Sequence, residues 1–268
     1  MDAYLKKESE KVRDYGDYWS ASSVGYCYRY NILKRIKLPP VPEIADNKER
    51  QQRVFSAGHI FHNWAQELTR NAGISLAQEE ELIDHDLMVK GHFDDIVLLR
   101  SPKERADTGE IVLGGLPDHM VLIDYKTVNS KAFNYTYEMK STHRLQLGTY
   151  LYMLRKIQWN EFSNYRLDVS GISEARIVEI EKDALRMREG QLLWSEELEY
   201  DVLTYWTTLN RYWFDYTQSG KLPDCKCAEM VGVWMAKRTK DGRIFNDYFL
   251  NGKPCSQEWV EINKKGTE

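Results

Sequence analysis

Apolar side chains recur at intervals of three and four residues in several parts of the chain. Residues 20–37, 51–70 and 141–158 each show this period, which predicts a helix in each segment. Prolines beyond residue 37 end the first of these helices. Residues 183–217 repeat aromatic side chains over a longer stretch, and this pattern predicts a helix or a pair of helices.

Between the second and third helices the pattern changes to short apolar runs. The runs EEELID, LMVKGHFDDIVLL and GLPDHMVLIDYKT predict strands joined by turns as a meander, and SEARIVEIEKD predicts one further strand. The resulting order is helices, meander, helix, strand and helix. It favours an α/β fold with a mixed central sheet flanked by helices.

Composition narrows the class of protein. A chain of 268 residues fits one large α/β domain or a domain with a satellite lobe, and 42% hydrophobic residues suffice for a core. The net charge of −4 means that any nucleic-acid contact must use a local basic patch. No apolar run approaches the roughly 20 residues of a membrane span, and the N-terminus lacks a signal-peptide core. We therefore expect a cytoplasmic protein without membrane contact.

Candidate chemistry begins at the end of the apolar run VLIDYKT. Asp124 and Lys126 lie two residues apart on a predicted strand, so their side chains share one face. A surface ion pair is the simpler interpretation of such a pair. Asp94, just before another apolar run, could bring a second carboxylate to the same place, whereas the adjacent Asp95 would point the other way. Two close carboxylates repel each other unless a cation such as Mg²⁺ or Mn²⁺ lies between them.

Two helices add polar residues to this group. His62 follows Gly58 by one turn, and Tyr150 follows Gln146 by one turn, with His143 on the same face. Taken separately, His62 is more typical of a structural or surface histidine than of a ligand. Gln146 and Tyr150 are as typical of a polar stripe beside core leucines as of a functional site.

In order, the motifs G-x-x-x-H, G-H-x-D, D-x-K and Q-x-x-x-Y over residues 54–154 resemble the RecB-type branch of the PD-(D/E)XK nucleases. The resemblance implies a restriction-endonuclease-like core and Mg²⁺- or Mn²⁺-dependent hydrolysis of DNA. One or two ions would be held by His62, Asp94, Asp124 and the carbonyl of Tyr125. The resemblance also implies that Lys126 acts on water and phosphate, with Gln146 and Tyr150 in positioning roles.

The four cysteines extend this resemblance. In a reducing cytosol, Cys27, Cys225, Cys227 and Cys255 suit a metal or cluster better than disulfides. One cysteine before the core and three after it is similar to the iron–sulfur members, the CRISPR-associated RecB-like exonucleases and AddB-type nuclease domains. This implies a 4Fe–4S cluster. The C-x-C spacing leaves 2Fe–2S, structural Zn²⁺ and four unrelated cysteines as alternatives.

The resemblance divides the chain into a core over residues 51–220 and a cysteine-bound lobe. Residues 1–50 and 221–268 would form that lobe together and join the two ends of the chain. Basic residues in both segments are candidate phosphate contacts: Arg29, Lys34, Arg35, Lys237, Arg238 and Arg243. Aromatic residues interleave with the later group, which suits single-stranded DNA, although a solvated surface loop is equally consistent with it.

Together these features predict a DNA exonuclease or end-processing nuclease that acts on single-stranded or free ends. Recombination, phage DNA processing and CRISPR adaptation are the expected settings, with a possible protein partner in such a complex. Two alternatives remain at this stage. One is a catalytically silent DNA-binding or assembly module with the same fold, and the other is a restriction-type endonuclease.

Overall fold

The structure, a computed structural model, describes residues 16–36, 48–99, 102–104, 111–113, 119–135, 139–157, 160–162 and 165–223. These residues divide into two compact units. The smaller unit comprises residues 26–36, 48–52 and 207–223, and the larger comprises 16–25 and the described residues between 53 and 206. All of the sheets described below belong to the larger unit.

The larger unit is built on a five-stranded sheet. Its strands are β2 (Ser75–Gln78), β5 (Asp95–Leu99), β8 (His119–Val128), β11 (Glu174–Glu181) and β12 (Met187–Leu193). The strand order is β12-β11-β8-β5-β2. The central strand β8 pairs parallel with β11, and the other neighbours are antiparallel. The predicted mixed α/β fold is confirmed.

A second sheet contains β1 (Trp19–Ser20), β3 (Glu81–Asp84) and β4 (Val89–His92). Its strand order is β1-β4-β3. Two antiparallel pairs complete the described strands: β6 (Pro102–Glu104) with β7 (Ile111–Leu113), and β9 (Asn160–Phe162) with β10 (Tyr165–Leu167).

The apolar start of β8 explains its central position. Val121 and Leu122 are fully buried and Ile123 is nearly so, because both faces of this strand are covered. On one face, Val121, Ile123 and Tyr125 pack in a cluster with Ala65 of helix α2 (Lys48–Asn71). The alternate residues therefore point to the opposite face, where helix α4 (Ser141–Lys156) contacts β8.

Helix α4 is itself covered by the first part of helix α5 (Glu196–Ser219). A Cβ atom on Gly148 would lie 2.8 Å from the side chain of Leu198, so glycine permits this close approach. The indole N–H of Trp206, which is fully buried, donates a 3.0 Å hydrogen bond to Thr149 Oγ1. Helices thus flank the sheet, as predicted. The remaining helix of this unit is the short α3 (Ser130–Tyr135).

The smaller unit contains helix α1 (Tyr28–Arg35) and the last turns of α5. Cys27, at the N-terminal end of α1, is buried and forms an apolar cluster with Leu33. Tyr30, Ile36 and Leu222 pack against this cluster. Cys225, Cys227 and Cys255 lie outside the described residues, so the predicted cysteine-bound lobe remains a prediction.

Two of the predicted elements are wrong in detail. Residues 20–37 form a 3-10 helix over Ala21–Ser23 and then α1, because Gly25 adopts a left-handed φ of +78° between them. Within residues 183–217, the segment Met187–Leu193 is a strand, since it pairs along its whole length with β11. Of the helices that the structure describes, none combines the length and apolar character of a bilayer-crossing segment.

The predicted meander is also only partly right. The run LMVKGHFDDIVLL contains two strands, β4 and β5, which belong to different sheets. The chain passes from one sheet to the other at Phe93 and Asp94. This junction places the carboxylate of Asp94 at an end of the five-stranded sheet.

Candidate metal and hydrolytic site

Four elements of the larger unit bring polar side chains to one end of the central sheet. Asp94 directly precedes β5, and the register that pairs Asp95 with Ile123 puts Asp94 next to Asp124 of the neighbouring β8. His62 comes from α2 and Glu79 from the turn between β2 and β3. Within the described part of the chain, His62, Glu79 and Asp94 offer one ligand atom each, all within 4.8 Å of one another.

Asp94 is fixed by the backbone of the next strand. The N–H of Tyr125 donates a 2.7 Å hydrogen bond to Asp94 Oδ2. The same carboxylate oxygen lies 3.5 Å from His62 Nδ1, and the Asp94 side chain is only 14% exposed. The carboxylate is therefore held in one orientation before any ligand arrives.

Glu79 was not predicted from the sequence, where it is the first of three consecutive glutamates. The amide of Gln66 orients it by donating a 2.8 Å hydrogen bond to Glu79 Oε1 and another of 2.9 Å to the carbonyl of Asp94. Glu79 has a φ of +53°, a conformation that is costly for a residue with a Cβ atom. The chain holds this strained backbone at the point where it presents a carboxylate to His62 and Asp94.

Asp124 and Lys126 form a second, adjoining group on β8. The Lys126 ammonium lies 2.8 Å from Asp124 Oδ1 and 2.6 Å from Oδ2. Gln146 of α4 donates a longer 3.4 Å hydrogen bond to Asp124 Oδ1. The Oδ2 atom of Asp124 is buried, and its close contact with the Lys126 ammonium is an ion pair without hydrogen-bond geometry.

Burial and neighbouring charges shift the pKa values of two residues of the site. Burial and the nearby carboxylate of Asp124 raise the pKa of Asp94 well above its ordinary range. Burial and the Lys126 ammonium lower the pKa of His62, so its imidazole is neutral at neutral pH and able to act as a ligand.

This donor set fits a divalent cation. Carboxylate oxygens suit Mg²⁺ and Mn²⁺, and a neutral imidazole nitrogen is acceptable to Mn²⁺ and later transition metals. The repulsion that raises the pKa of Asp94 is the kind of interaction that a cation between carboxylates would relieve. Asp124, the neighbouring buried acid, supplies further carboxylate oxygens.

The adjacent acid Asp95 points away from this group, as strand alternation predicts. Its fully buried carboxylate accepts hydrogen bonds from Thr69, Ser75 and Gln78, at 2.6 to 3.0 Å, and a longer one from the Tyr125 hydroxyl. Burial raises the pKa of Asp95, and these hydrogen bonds oppose the shift. Asp95 is thus a structural acid that ties α2 to β2 and β5.

Tyr150 lies one turn beyond Gln146 on α4 and is buried. Its ring stands over Gly91, since a Cβ atom at Gly91 would lie 2.9 Å from the Tyr150 hydroxyl and 2.7 Å from the methyl group of Ala21. Gly91 is therefore needed for the close approach of Tyr150 to β4.

No protein-family model matches the chain, and no curated protein resembles it at a significant level. Some solved structures resemble it in part. The crystal structure of SSO0001 is 15% identical, with a TM-score of 0.43 over 81% of this chain and 84% of that one. The alkaline exonuclease LHK-Exo from Laribacter hongkongensis is 12% identical, with a TM-score of 0.32 over 82% and 98% of the two chains. LHK-Exo in complex with dAMP matches at 13% identity and a TM-score of 0.35, over 77% and 95%. Likenesses at this level do not establish a family for this chain.

The predicted phosphate contacts that the structure describes lie in the smaller unit. Lys34 is exposed, Arg29 donates a 3.3 Å hydrogen bond to the carbonyl of Pro223, and the Arg35 guanidinium stacks 4.6 Å from the ring centre of Trp213. Lys237, Arg238 and Arg243 lie outside the described residues. The role of all six in binding DNA remains a prediction.

Proposed function

We propose that this chain is a metal-dependent nuclease that hydrolyses phosphodiester bonds in DNA. The observation that carries the proposal is the convergence of His62, Glu79 and Asp94 beside the Asp124–Lys126 pair. Clustered carboxylates, of which Asp124 is buried, next to the partly exposed Lys126 ammonium suit a substrate that is an anion and needs an activated water. The order of motifs in the sequence supports the same reaction.

His62, Glu79, Asp94 and Asp124 would hold the cation, with the carbonyl of Tyr125 as a further candidate ligand. When bound, a divalent ion lowers the pKa of a water molecule and offsets the charge of the phosphate. The protein's own contribution is preorganisation. The Tyr125 N–H fixes Asp94, and the Gln66 amide fixes Glu79, so neither carboxylate must reorient when substrate binds.

Lys126 would act on the reacting groups directly. Its ammonium pairs with Asp124, and its side chain is 26% exposed, so a substrate can approach it. A compact ammonium can donate to a water molecule and to a phosphate oxygen from one position. Gln146 would keep the Asp124 carboxylate in place from the side of α4.

The proposed substrate is DNA with free ends, with a preference for single strands. Because the chain has a net charge of −4, binding must use local basic residues. Exposed Lys34 and the Arg35–Trp213 pair are candidates for contacts with phosphates and bases. The biological setting that we infer, end processing in recombination, phage DNA metabolism or CRISPR adaptation, would bring a protein partner.

A cleavage time course tests the proposal. The purified chain is incubated with 5′- or 3′-labelled linear DNA, single- and double-stranded, and with circular DNA, in Mg²⁺, Mn²⁺ or EDTA. We expect cleavage of linear DNA that requires the ion and falls by a factor on the order of 100 or more in Lys126→Ala. Asp168→Asn, which alters an exposed turn residue, is the matched control.

The same experiment separates the alternatives. Cleavage of circular DNA at the rate of linear DNA would indicate an endonuclease of the restriction type. Binding without cleavage in either ion would indicate a silent DNA-binding module. Wild-type rates in both Lys126→Ala and Asp124→Ala would exclude this site as the hydrolytic centre.

We also propose that the four cysteines hold an iron–sulfur cluster, of the 4Fe–4S type, with a 2Fe–2S cluster or Zn²⁺ as the alternatives. The position of Cys27 in the apolar cluster with Leu33 is consistent with a shielded structural site. Visible absorbance and metal analysis of anaerobically prepared protein test this. Zinc without iron, or neither metal, would exclude the cluster.

A further inference from the structure

Strand β12 forms one edge of the five-stranded sheet, and its outer side pairs with no strand that the structure describes. It runs for seven residues in register with β11, without a bulge and without proline. At the opposite edge, β2 has only four residues and an irregular register with β5. Short or irregular edge strands resist pairing with another chain, whereas a long regular edge is open to it. β12 therefore has the features of a strand that receives a partner.

Backbone hydrogen bonds at the two ends of β12 show which of its residues face outward. The Trp194 N–H donates a 2.8 Å hydrogen bond to the carbonyl of Ser173, and the Glu181 N–H donates one of 2.9 Å to the carbonyl of Arg186. Only alternate residues of an antiparallel strand bond to the same neighbour, so the even-numbered residues of β12 face β11. The odd-numbered residues direct their N–H and C=O groups to the outer edge: Met187, Glu189, Gln191 and Leu193.

The charged side chains of β12 are engaged within the protein and do not block this edge. Arg188 Nε donates a 2.6 Å hydrogen bond to Glu179 of β11. The Glu189 carboxylate accepts a 2.9 Å hydrogen bond from Arg176, which also belongs to β11. Charges that repel a second strand are one means of protecting an edge. Here each charge of the strand is offset by a partner on β11.

The sequence of β12 is complementary to itself in an antiparallel arrangement centred on Gly190. In this register Met187 faces Leu193 of the second copy, and the two residues are 46% and 59% exposed. Glu189 faces the neutral Gln191, and Gly190 faces itself at the twofold axis, where neither copy has a side chain. A shift by two residues would place Glu189 opposite Glu189. Like charges that lie directly opposite each other destabilise a strand pair, so the register about Gly190 is favoured.

We propose that two copies of this chain associate through β12, whose strands pair in antiparallel orientation about Gly190 and join the two central sheets. Both copies use the same edge, so the contact closes on itself and gives a dimer, not a filament. The outward backbone groups and the contacts between Met187 and Leu193 hold the copies together. This pairing does not depend on the proposed nuclease activity.

Charge changes at Gln191 test both the dimer and its register. Sedimentation velocity of the full chain without nucleic acid, over a series of concentrations, measures the dissociation constant of the dimer. Because each substitution meets Glu189 twice in the dimer, we expect this constant to rise roughly fivefold in Gln191→Glu and to fall roughly fivefold in Gln191→Lys. The double variant Glu189→Gln/Gln191→Glu removes the like-charge pair and should return close to wild type. The matched controls Gln218→Glu and Gln218→Lys change an exposed residue of α5 and should have no effect.

A proline tests the backbone contact. Gln191→Pro removes an outward N–H from each copy but no hydrogen bond to β11, and proline is tolerated at such an edge position. We expect the fold to be retained, as thermal melting checks, and the dissociation constant to rise roughly tenfold or more. In wild type, the amides of Glu189 and Gln191 should exchange more slowly as protein concentration rises, whereas those of β2 should not change.

The outcomes decide for or against this pairing. A dimer that weakens in Gln191→Glu and Gln191→Pro, and is restored in the double variant, supports it. A wild-type protein that is monomeric at every concentration would overturn it. A dimer that none of the Gln191 variants affects would overturn it as well, since another surface would then join the copies. A response to proline without a response to charge would overturn the register about Gly190.

Discussion

The backbone N–H of Tyr125 donates a 2.7 Å hydrogen bond to Asp94 Oδ2 and so joins the start of β5 to the strand that carries Asp124 and Lys126. This hydrogen bond fixes the distance between Asp94 and Asp124 more rigidly than side-chain packing alone would. Because a backbone donor holds Asp94, most substitutions of the Tyr125 side chain should leave this part of the site in place.

Asp94→Asn should abolish the response to divalent ions while preserving the fold. The amide can still accept the Tyr125 hydrogen bond, but it lacks the charge that a cation needs, and we expect activity to fall at least about 100-fold. Melting curves with and without Mn²⁺ check this. Wild type should be stabilised by the ion, and an equal stabilisation of the variant would contradict the assignment of Asp94 as a ligand.

Asp95→Asn should show the opposite behaviour, although the two acids are adjacent. Its amide N–H₂ would face the donors Thr69, Ser75 and Gln78, which leaves a buried mismatch costing about 1–3 kcal/mol of unfolding free energy. Urea unfolding measures this loss. We expect the Mn²⁺-dependent rise in melting temperature to persist, and its disappearance would mean that Asp95 also serves the metal.

Glu79→Asn tests the residue that sequence reasoning missed. Asparagine tolerates a φ of +53° better than glutamate does, so the metal-free variant should be within about 1 kcal/mol of wild type or more stable. The loss of one carboxylate should weaken Mn²⁺ binding about tenfold or more. Calorimetric titration measures both wild type and variant, and unchanged affinity would remove Glu79 from the ligand set.

The raised pKa of Asp94 predicts how stability depends on pH. In the metal-free protein, folding favours the protonated acid, so this contribution is complete below the ordinary pKa of 3.8 and is lost as pH rises through the raised value. A cation requires the carboxylate, so ion binding should release a proton and strengthen as pH rises. Titrations in buffers of different ionisation enthalpy count that proton, and Asp94→Asn should release none from this position.

Gly91→Ala should destabilise the larger unit by about 1–3 kcal/mol, because the new methyl group would overlap Ala21 and Tyr150. Gly171→Ala is the matched control, since a Cβ atom there meets nothing within 4 Å. Chemical unfolding of both variants measures the difference. Equal stabilities would mean that Tyr150 does not stand over Gly91 as described.

Local periodicity was sufficient to predict the parts of the site that follow from one element. Asp124 and Lys126 share a strand face because they are two residues apart, and Gln146 reaches Asp124 from the predicted helix. The proximity of Asp94 to Asp124 could also be predicted, since Asp94 precedes one apolar run and Asp124 follows another. These inferences needed only strand alternation and helical spacing.

Glu79 could not be predicted from the sequence in the same way. It is one of three consecutive glutamates, and only the turn between β2 and β3, with its left-handed residue, selects which of them faces His62. Strand β12 was missed for a related reason. Its pairing with β11, and not the aromatic pattern of residues 183–217, decides its conformation. Tertiary contacts, not local preference, determine both features.

The junction at Phe93 and Asp94 joins two sheets that share no strand. Any opening of the β3–β4 hairpin would therefore pull on Asp94, and a cation held by that carboxylate would resist the opening. Amide hydrogen exchange in β3 and β4 should consequently slow when the ion binds, although neither strand supplies a ligand. The ion would thus reduce the local opening of the β3–β4 hairpin, although this hairpin takes no part in the chemistry.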